Sequence, residues 1–196
     1  MDENEQNLTE DKAQIIEKAK QEGMLSACFM SFTVLVLYVE DFFPKLQEKH
    51  GWTAISILAL VYLYKALKKL QPMCETNLMR PFHAYWVLGI VTAAALLAGI
   101  LYNPIFTLLF LVLLVVTLIF WMILNFRLAR ITQNLLFKFH SIMLIVSVVS
   151  SLTVLFLKAS LGSVLYYADA AITATAQALL VGAWYGGMTW RMFSQI

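Results

Sequence analysis

Apolar residues along this chain come in runs too long for strands and too uniform for amphipathic surface helices, separated by short polar breaks. After a polar stretch over residues 1–23, the runs cover about Met24–Val39, Trp52–Leu67, Ala84–Tyr102, Ile105–Asn125, Phe139–Leu157 and Leu161–Met188. Runs of about 17–25 apolar residues match a hydrocarbon core near 30 Å. The pattern therefore predicts an all-α polytopic membrane protein with six transmembrane helices. Glu40-Asp41 and Phe42-Phe43-Pro44 stop the first run, and Asn103-Pro104 makes a tight turn between the third and fourth. Proline at such places cannot continue a helix. The second run is the weakest: it contains Lys65 and spans only about 24 Å. It reaches both interfaces by snorkelling and by extension toward Pro44.

Residues 1–23 predict a short polar helix. Thr9 serves as its N-cap, Glu10 and Asp11 fill its first turn, and Gly23 ends it. Leu8, Ala13, Ile15, Ile16 and Ala19 make only a thin apolar stripe, which suits a solvated or loosely docked tail. The chain thus divides into a polar cytoplasmic segment, 1–23, and a membrane domain, 24–196. Its polar, acidic start does not resemble a secretory signal, so the first apolar run acts as an uncleaved anchor.

Positive charge sets the orientation. With the N-terminus inside, the inner segments hold Lys12, Lys18, Lys20, Lys65, Lys68, Lys69, Arg80, Arg127, Arg130, Lys138 and Arg191, and the outer loops hold Lys45, Lys49 and Lys158. That is eleven against three, out of fourteen in all. The bias favours six spans with both termini cytoplasmic. Trp52, Trp86, Tyr102, Trp121 and Trp190 fall near the expected interfaces, where amphipathic rings sit well.

Composition agrees. The mean hydropathy is +0.75, with 61% hydrophobic and 13% charged residues, whereas soluble domains carry about a quarter charged. A net charge of +2 and the absence of a basic arm argue against nucleic acid as a partner. Cys28 and Cys74 have no CxxC spacing, so neither a disulfide framework nor a zinc site is expected. His50, His83 and His140 are scattered, and no metal or other cofactor is implied. Arg127 and Arg130, followed by Gln133, resemble a fragment of a voltage sensor, but two arginines beyond an apolar helix read first as a cytoplasmic flank.

The sixth run carries the candidate chemistry. Residues four apart share a helical face. Ala170, Ala174, Ala178, Gly182 and Gly186 make a ladder of small residues, and beside it lie Asp169, Thr173 and Gln177. In lipid, small residues let helices approach closely and polar groups seek partners within the bundle. Gly89, Ala93, Ala94 and Ala98, or Ser147 and Ser151, offer facing surfaces. Asp169 is the one carboxylate of its run, and an intramembrane carboxylate points to an ion or substrate path. Lys158 offers the competing explanation, an ion pair with Asp169 across a hairpin.

No GxSxG, P-loop or protease motif appears, and Ser147, Ser150 and Ser151 have no neighbouring base. An enzyme is not expected. The leading expectation is a transporter or channel subunit with a polar path along the sixth helix. The alternative is a non-transporting scaffold or assembly subunit. Candidate partners are the lipid bilayer and a second copy or another membrane subunit. The expected location is a bacterial inner membrane or an equivalent eukaryotic membrane.

Overall fold

Helices make up all the regular structure among the described residues of the computed structural model. These are 3–40, 51–103 and 105–186, with side chains described over 11–36, 54–103, 105–154 and 165–186. The helices are α1 (Glu3–Glu40), α2 (Gly51–Leu70), α3 (Met79–Leu101), α4 (Ile105–Thr132) and α5 (Leu136–Gly186), with a 3-10 turn at Gln71–Met73 after α2. Three stretches, Met79–Leu101, Ile105–Thr132 and Leu136–Val154, are long and apolar enough to cross a membrane. Ile100, Leu101, Ile105 and Leu108 on α3 and α4 are exposed, as suits side chains solvated by lipid.

α1 corrects the expected stop at Gly23: the polar segment and the first apolar run form one continuous helix. A glycine inside a helix costs up to about 1 kcal/mol relative to alanine. Here the backbone at Gly23 lies directly against the Trp184 ring, and a methyl group at that position would overlap it. Burial of Trp184, only 2% exposed, offsets the cost. Gly23 permits a close approach and does not act as a cap.

α5 cannot be one straight rod. Ser147 and Thr173 are 26 residues apart in sequence, yet their hydroxyl oxygens lie 2.6 Å from each other. A straight helix would separate them by about 39 Å. The chain therefore reverses between Ser151 and Asp169, and two arms, 136–154 and 165–186, run antiparallel. They correspond to the fifth and sixth apolar runs.

The other helices also pair as antiparallel neighbours. Ser26 Oγ donates to the Ala59 carbonyl at 2.7 Å and Lys69 pairs with Glu22 at 2.6 Å, joining α1 to α2. Thr92 and Thr117 share a hydrogen bond of 3.1 Å between α3 and α4. The second arm of α5 packs on α1 through Trp184, and the first arm meets α4 through Trp121 and His140. α2 and α3 touch only sparsely. The result is a ring in the order α2, α1, α5, α4, α3, with its loosest seam between α3 and α2.

Polar side chains stop and start the helices. Gln71 Oε1 accepts from the backbone N–H of Leu78 at 2.7 Å, and Asn77 Oδ1 accepts from Arg80 at 2.9 Å, opening α3. Asn103 Oδ1 caps α4 through Ile105 N–H at 2.9 Å. Gln133 takes the left-handed conformation, φ 49°, which ends α4. Asn134 then caps α5 through Leu136 N–H and also donates to the Ala183 carbonyl at 3.0 Å. Such side-chain caps satisfy backbone groups that a helix end leaves orphaned. Arg127, expected as a flank, donates to the Asn77 carbonyl and ties the loop before α3 to α4.

This order gathers Lys65, Lys68, Lys69, Arg80, Arg127, Arg130 and Lys138 at one end of the bundle, called here the basic end. The apolar core lies toward the same end, built from Leu63, Leu67, Leu70, Leu78, Phe82, Leu124, Leu128, Phe137 and Trp184 among others.

Candidate functional site

Between the helices lies a partly open cavity of about 350 Å³, within the range typical of small-molecule pockets. α1 contributes Met30, Thr33 and Val34, and α2 contributes Ser56 and Leu60. Tyr85 comes from α3, and Leu114, Thr117, Leu118 and Trp121 come from α4. The first arm of α5 adds His140 and Leu144, and the second adds Gln177 and Leu180. Every helical segment thus supplies part of the wall. Most of the lining is apolar, and among the described residues no charged side chain is part of it.

One wall is organised around His140, which is 1% exposed. Trp121 Nε1–H donates to His140 Nε2 at 3.1 Å, and His140 Nδ1 lies 2.8 Å from the Ala176 carbonyl. A carbonyl only accepts, so Nδ1 carries the proton and the neutral ring satisfies both partners. Trp121 also packs against Tyr85, with ring centroids 4.8 Å apart and the planes tilted by 40°. Trp121, expected near an interface, is buried, and both its ring and its N–H find partners inside the ring of helices. Trp86 and Tyr102, in contrast, are exposed. The side chains of Trp52 and Trp190, and His50, lie outside the described residues.

One turn farther along α4, Asn125 is buried. Its amide N–H donates to the Trp121 carbonyl at 2.9 Å. Its Oδ1 is buried without a hydrogen-bond partner among the described residues.

The polar ladder of the sixth run forms a rail between helices. Asp169, Thr173 and Gln177 are buried, at 4%, 4% and 6% exposure. Asp169 accepts from Ser151 Oγ at 3.0 and 3.1 Å on its two oxygens. Thr173 shares its short bond with Ser147, and Gln177 Oε1 accepts from Ser31 Oγ on α1 at a long 3.4 Å. The four-residue spacing of Ser147 and Ser151 therefore meets the four-residue spacing of Thr173 and Asp169. Of the three, Gln177 lines the cavity, whereas Asp169 and Thr173 are buried away from it. The Lys158 side chain lies outside the described residues, and so does the expected pair with Asp169.

The small-residue ladder lies to the side of this rail. Ala170, Ala174 and Gly182 are half-buried, whereas Ala178 and Gly186 are exposed. A methyl on Gly182 would meet Leu136 Cδ1 at an ordinary 3.8 Å, and one on Gly186 would meet nothing. Close approaches fall instead at Gly23, against the Trp184 ring, and at Gly99, against Thr107, while Ala176 and Ala183 are fully buried. On α3, Ala93 and Ala94 are exposed and Gly89 faces open space.

Sequence reasoning missed His140, Trp121 and Ser31 as site residues. The one local signal for the first two was a polar ring atom inside otherwise apolar stretches. Outside the membrane runs, burial pushes the Cys74 thiol up to about 11. Among the described residues no three His, Cys, Asp or Glu side chains gather closely enough to hold a metal. Comparison with protein-family models, curated proteins and solved structures finds no match for this chain.

Proposed function

We propose that this chain is a small transport or channel subunit that crosses the membrane six times, with both termini cytoplasmic, and takes its solute into the central cavity. The observation that carries the reading is the cavity wall, to which all the helical segments contribute. Small motions of any segment change the shape of such a site, as alternating access requires. The basic end supports the orientation, because positive charge is retained on the cytoplasmic side.

The lining supports a small, largely apolar, uncharged solute with one polar group. Gln177 and Thr117 offer donors and acceptors, and Leu114, Leu118, Leu144 and Leu180 offer apolar surface. An ion would have to leave water for a wall without charge, which costs far more. In this reading Asp169 and Thr173 hold the second arm of α5 in register, and Gln177 is where the rail meets the solute.

Thermal-shift screening of the purified protein against small neutral amphiphiles tests the site. A stabilising compound should lose its effect in Thr117→Phe, which fills the cavity, and weaken in Gln177→Leu. It should then move across proteoliposomes containing wild type. Equal stabilisation of the filled variant would overturn the reading.

The exposed Ala178 and Gly186 favour a second reading, a scaffold whose small ladder packs a partner helix. There Ala174→Leu or Gly182→Leu breaks a complex that wild type keeps. Co-purification unchanged in both variants would dispose of it.

A further inference from the structure

We propose a second site on the outside of the bundle: the seam between α2 and α3 binds one anionic phospholipid, with its acyl chain in the seam and its phosphate at Lys65 and Lys68. The inference rests on the six-span reading, in which α2 crosses the membrane.

The seam is the loosest junction of the ring and opens into a groove of about 400 Å³. Ile57, Val61 and Tyr64 of α2 form one side, and Phe82, His83 and Trp86 of α3 form the other. Ile57, Tyr64 and Trp86 are all exposed, so the groove opens to the surroundings of the bundle. At its basic end lies a shallow, open depression among Glu22, Lys65, Lys68 and Lys69. Lys68 Nζ stands 5.9 Å from the centroid of Tyr64, which belongs to the groove, so the two spaces adjoin.

Length and charge select the occupant. Eleven positions separate Lys68 from Ile57, a rise of about 16 Å. That is about half of a 30 Å hydrocarbon core, the depth of a single leaflet. Lys69 is engaged with Glu22 at 2.6 Å. Lys65 and Lys68 lie over the rings of Tyr62 and Tyr64, at 5.4 and 5.9 Å. Among the described residues neither pairs with a carboxylate. Two ammonium groups at headgroup level above an apolar slot one leaflet deep complement a phosphate attached to an acyl chain. A partner helix would find charge at one end of the slot only.

Tryptophan quenching tests the site. Wild type in phosphatidylcholine vesicles receives a minor fraction of dibrominated phosphatidylglycerol or, separately, dibrominated phosphatidylcholine. The anionic lipid should quench more strongly at equal mole fraction, and Trp86→Phe should remove the excess. Lys65→Gln and Lys68→Gln should each weaken the preference by about fivefold at low ionic strength. Lys68→Arg, which keeps the charge, should preserve it and shows that the loss is not misfolding. Equal quenching by the two lipids overturns the proposal. Displacement of the excess by inorganic phosphate also overturns it, because the site would then take the free anion. The vesicles carry the lipid in both leaflets, so the result does not depend on orientation. Labelling of Lys49→Cys and Lys68→Cys, which flank the apolar run of α2, in a background without Cys28 and Cys74, reads the topology separately. Same-side labelling defeats the six-span reading, whereas opposite-side labelling with no quenching excess defeats the lipid site alone.

Discussion

The α3–α4 pair and the two arms of α5 are both antiparallel hairpins of apolar helices, yet they are held differently. The hydroxyl oxygens of Thr92 and Thr117 lie 3.1 Å apart across the first pair, and each is also within reach of its own helix, at the Leu88 and Leu113 carbonyls at 2.7 and 2.8 Å. With one proton each, whichever hydroxyl donates across the hairpin shares or gives up its carbonyl bond. The arms of α5 are joined by the buried rail of Ser147, Ser151, Asp169 and Thr173 and anchored by Trp184 on Phe137, whose rings meet edge to face at 5.4 Å. The outer surfaces of α3 and α4 are lined with exposed apolar residues. The α5 hairpin also exposes apolar residues such as Ile142 and Val149, but it packs on both α1 and α4 and supplies two walls of the cavity. A hairpin solvated by lipid needs little specificity, because hydrocarbon is as good a neighbour as leucine. One that must meet two further helices in a single register needs directional contacts.

The largest expected effect comes from removing the anchor of the α5 hairpin. Trp184→Ala should cost about 3–5 kcal/mol, read as a fall in the unfolding midpoint of the purified protein. A loss below about 1 kcal/mol would mean that the rail alone holds the second arm. Next comes the rail. Ser151→Ala takes a donor from a buried carboxylate and should cost about 1–3 kcal/mol, whereas Asp169→Asn keeps an acceptor for Ser151 and should cost less. Solute flux sharpens this step. If Asp169→Asn abolishes transport at unchanged stability, Asp169 belongs to the path and is not merely a register device.

Thr92→Val should be milder, about 0.6 kcal/mol, since its partner keeps a carbonyl on its own helix. A cost as large as that of Ser151→Ala would erase the contrast between the hairpins. The smallest effect is a reporter at the foot of α3. Burial raises the Cys74 thiol to about 11, so the reactive thiolate is scarce at pH 8 and increases as pH rises toward that value. Alkylation of Cys74 should therefore be slow and speed up roughly tenfold per pH unit between pH 8 and 10. Thr92→Val should leave that rate unchanged; faster labelling at pH 8 would show that the foot opens when the hydroxyl pair is lost.

Much of this contrast is already written in the chain. The uninterrupted Leu, Val, Ile and Phe of α4 announce a lipid-exposed helix, and Asn103 announces its turn. The spacing of Asp169, Thr173 and Gln177 announces a buried polar face. The partners on that face are less visible. Ser147 and Ser151 share its spacing, but Ser31 lies 146 residues from Gln177, with no local cue. His140 is more obscure still. Its partners Trp121 and Ala176 lie 19 and 36 residues away, and one of them contributes only a backbone carbonyl. Gly23 misleads, since a glycine after a polar stretch has the same local appearance whether it ends a helix or admits a tryptophan.

The chain's apolar runs, its polar breaks and the distribution of Lys and Arg are enough to establish helices, antiparallel order and a basic end. Each follows from hydropathy, helical period or proline and asparagine chemistry acting over a few residues. The ring order belongs to the tertiary structure, as do the continuity of α1 through Gly23, the burial of Trp121 against His140, and the cavity they leave. These depend on which faces meet when the helices pack, and similar apolar helices leave that choice to a few buried contacts between residues distant in sequence.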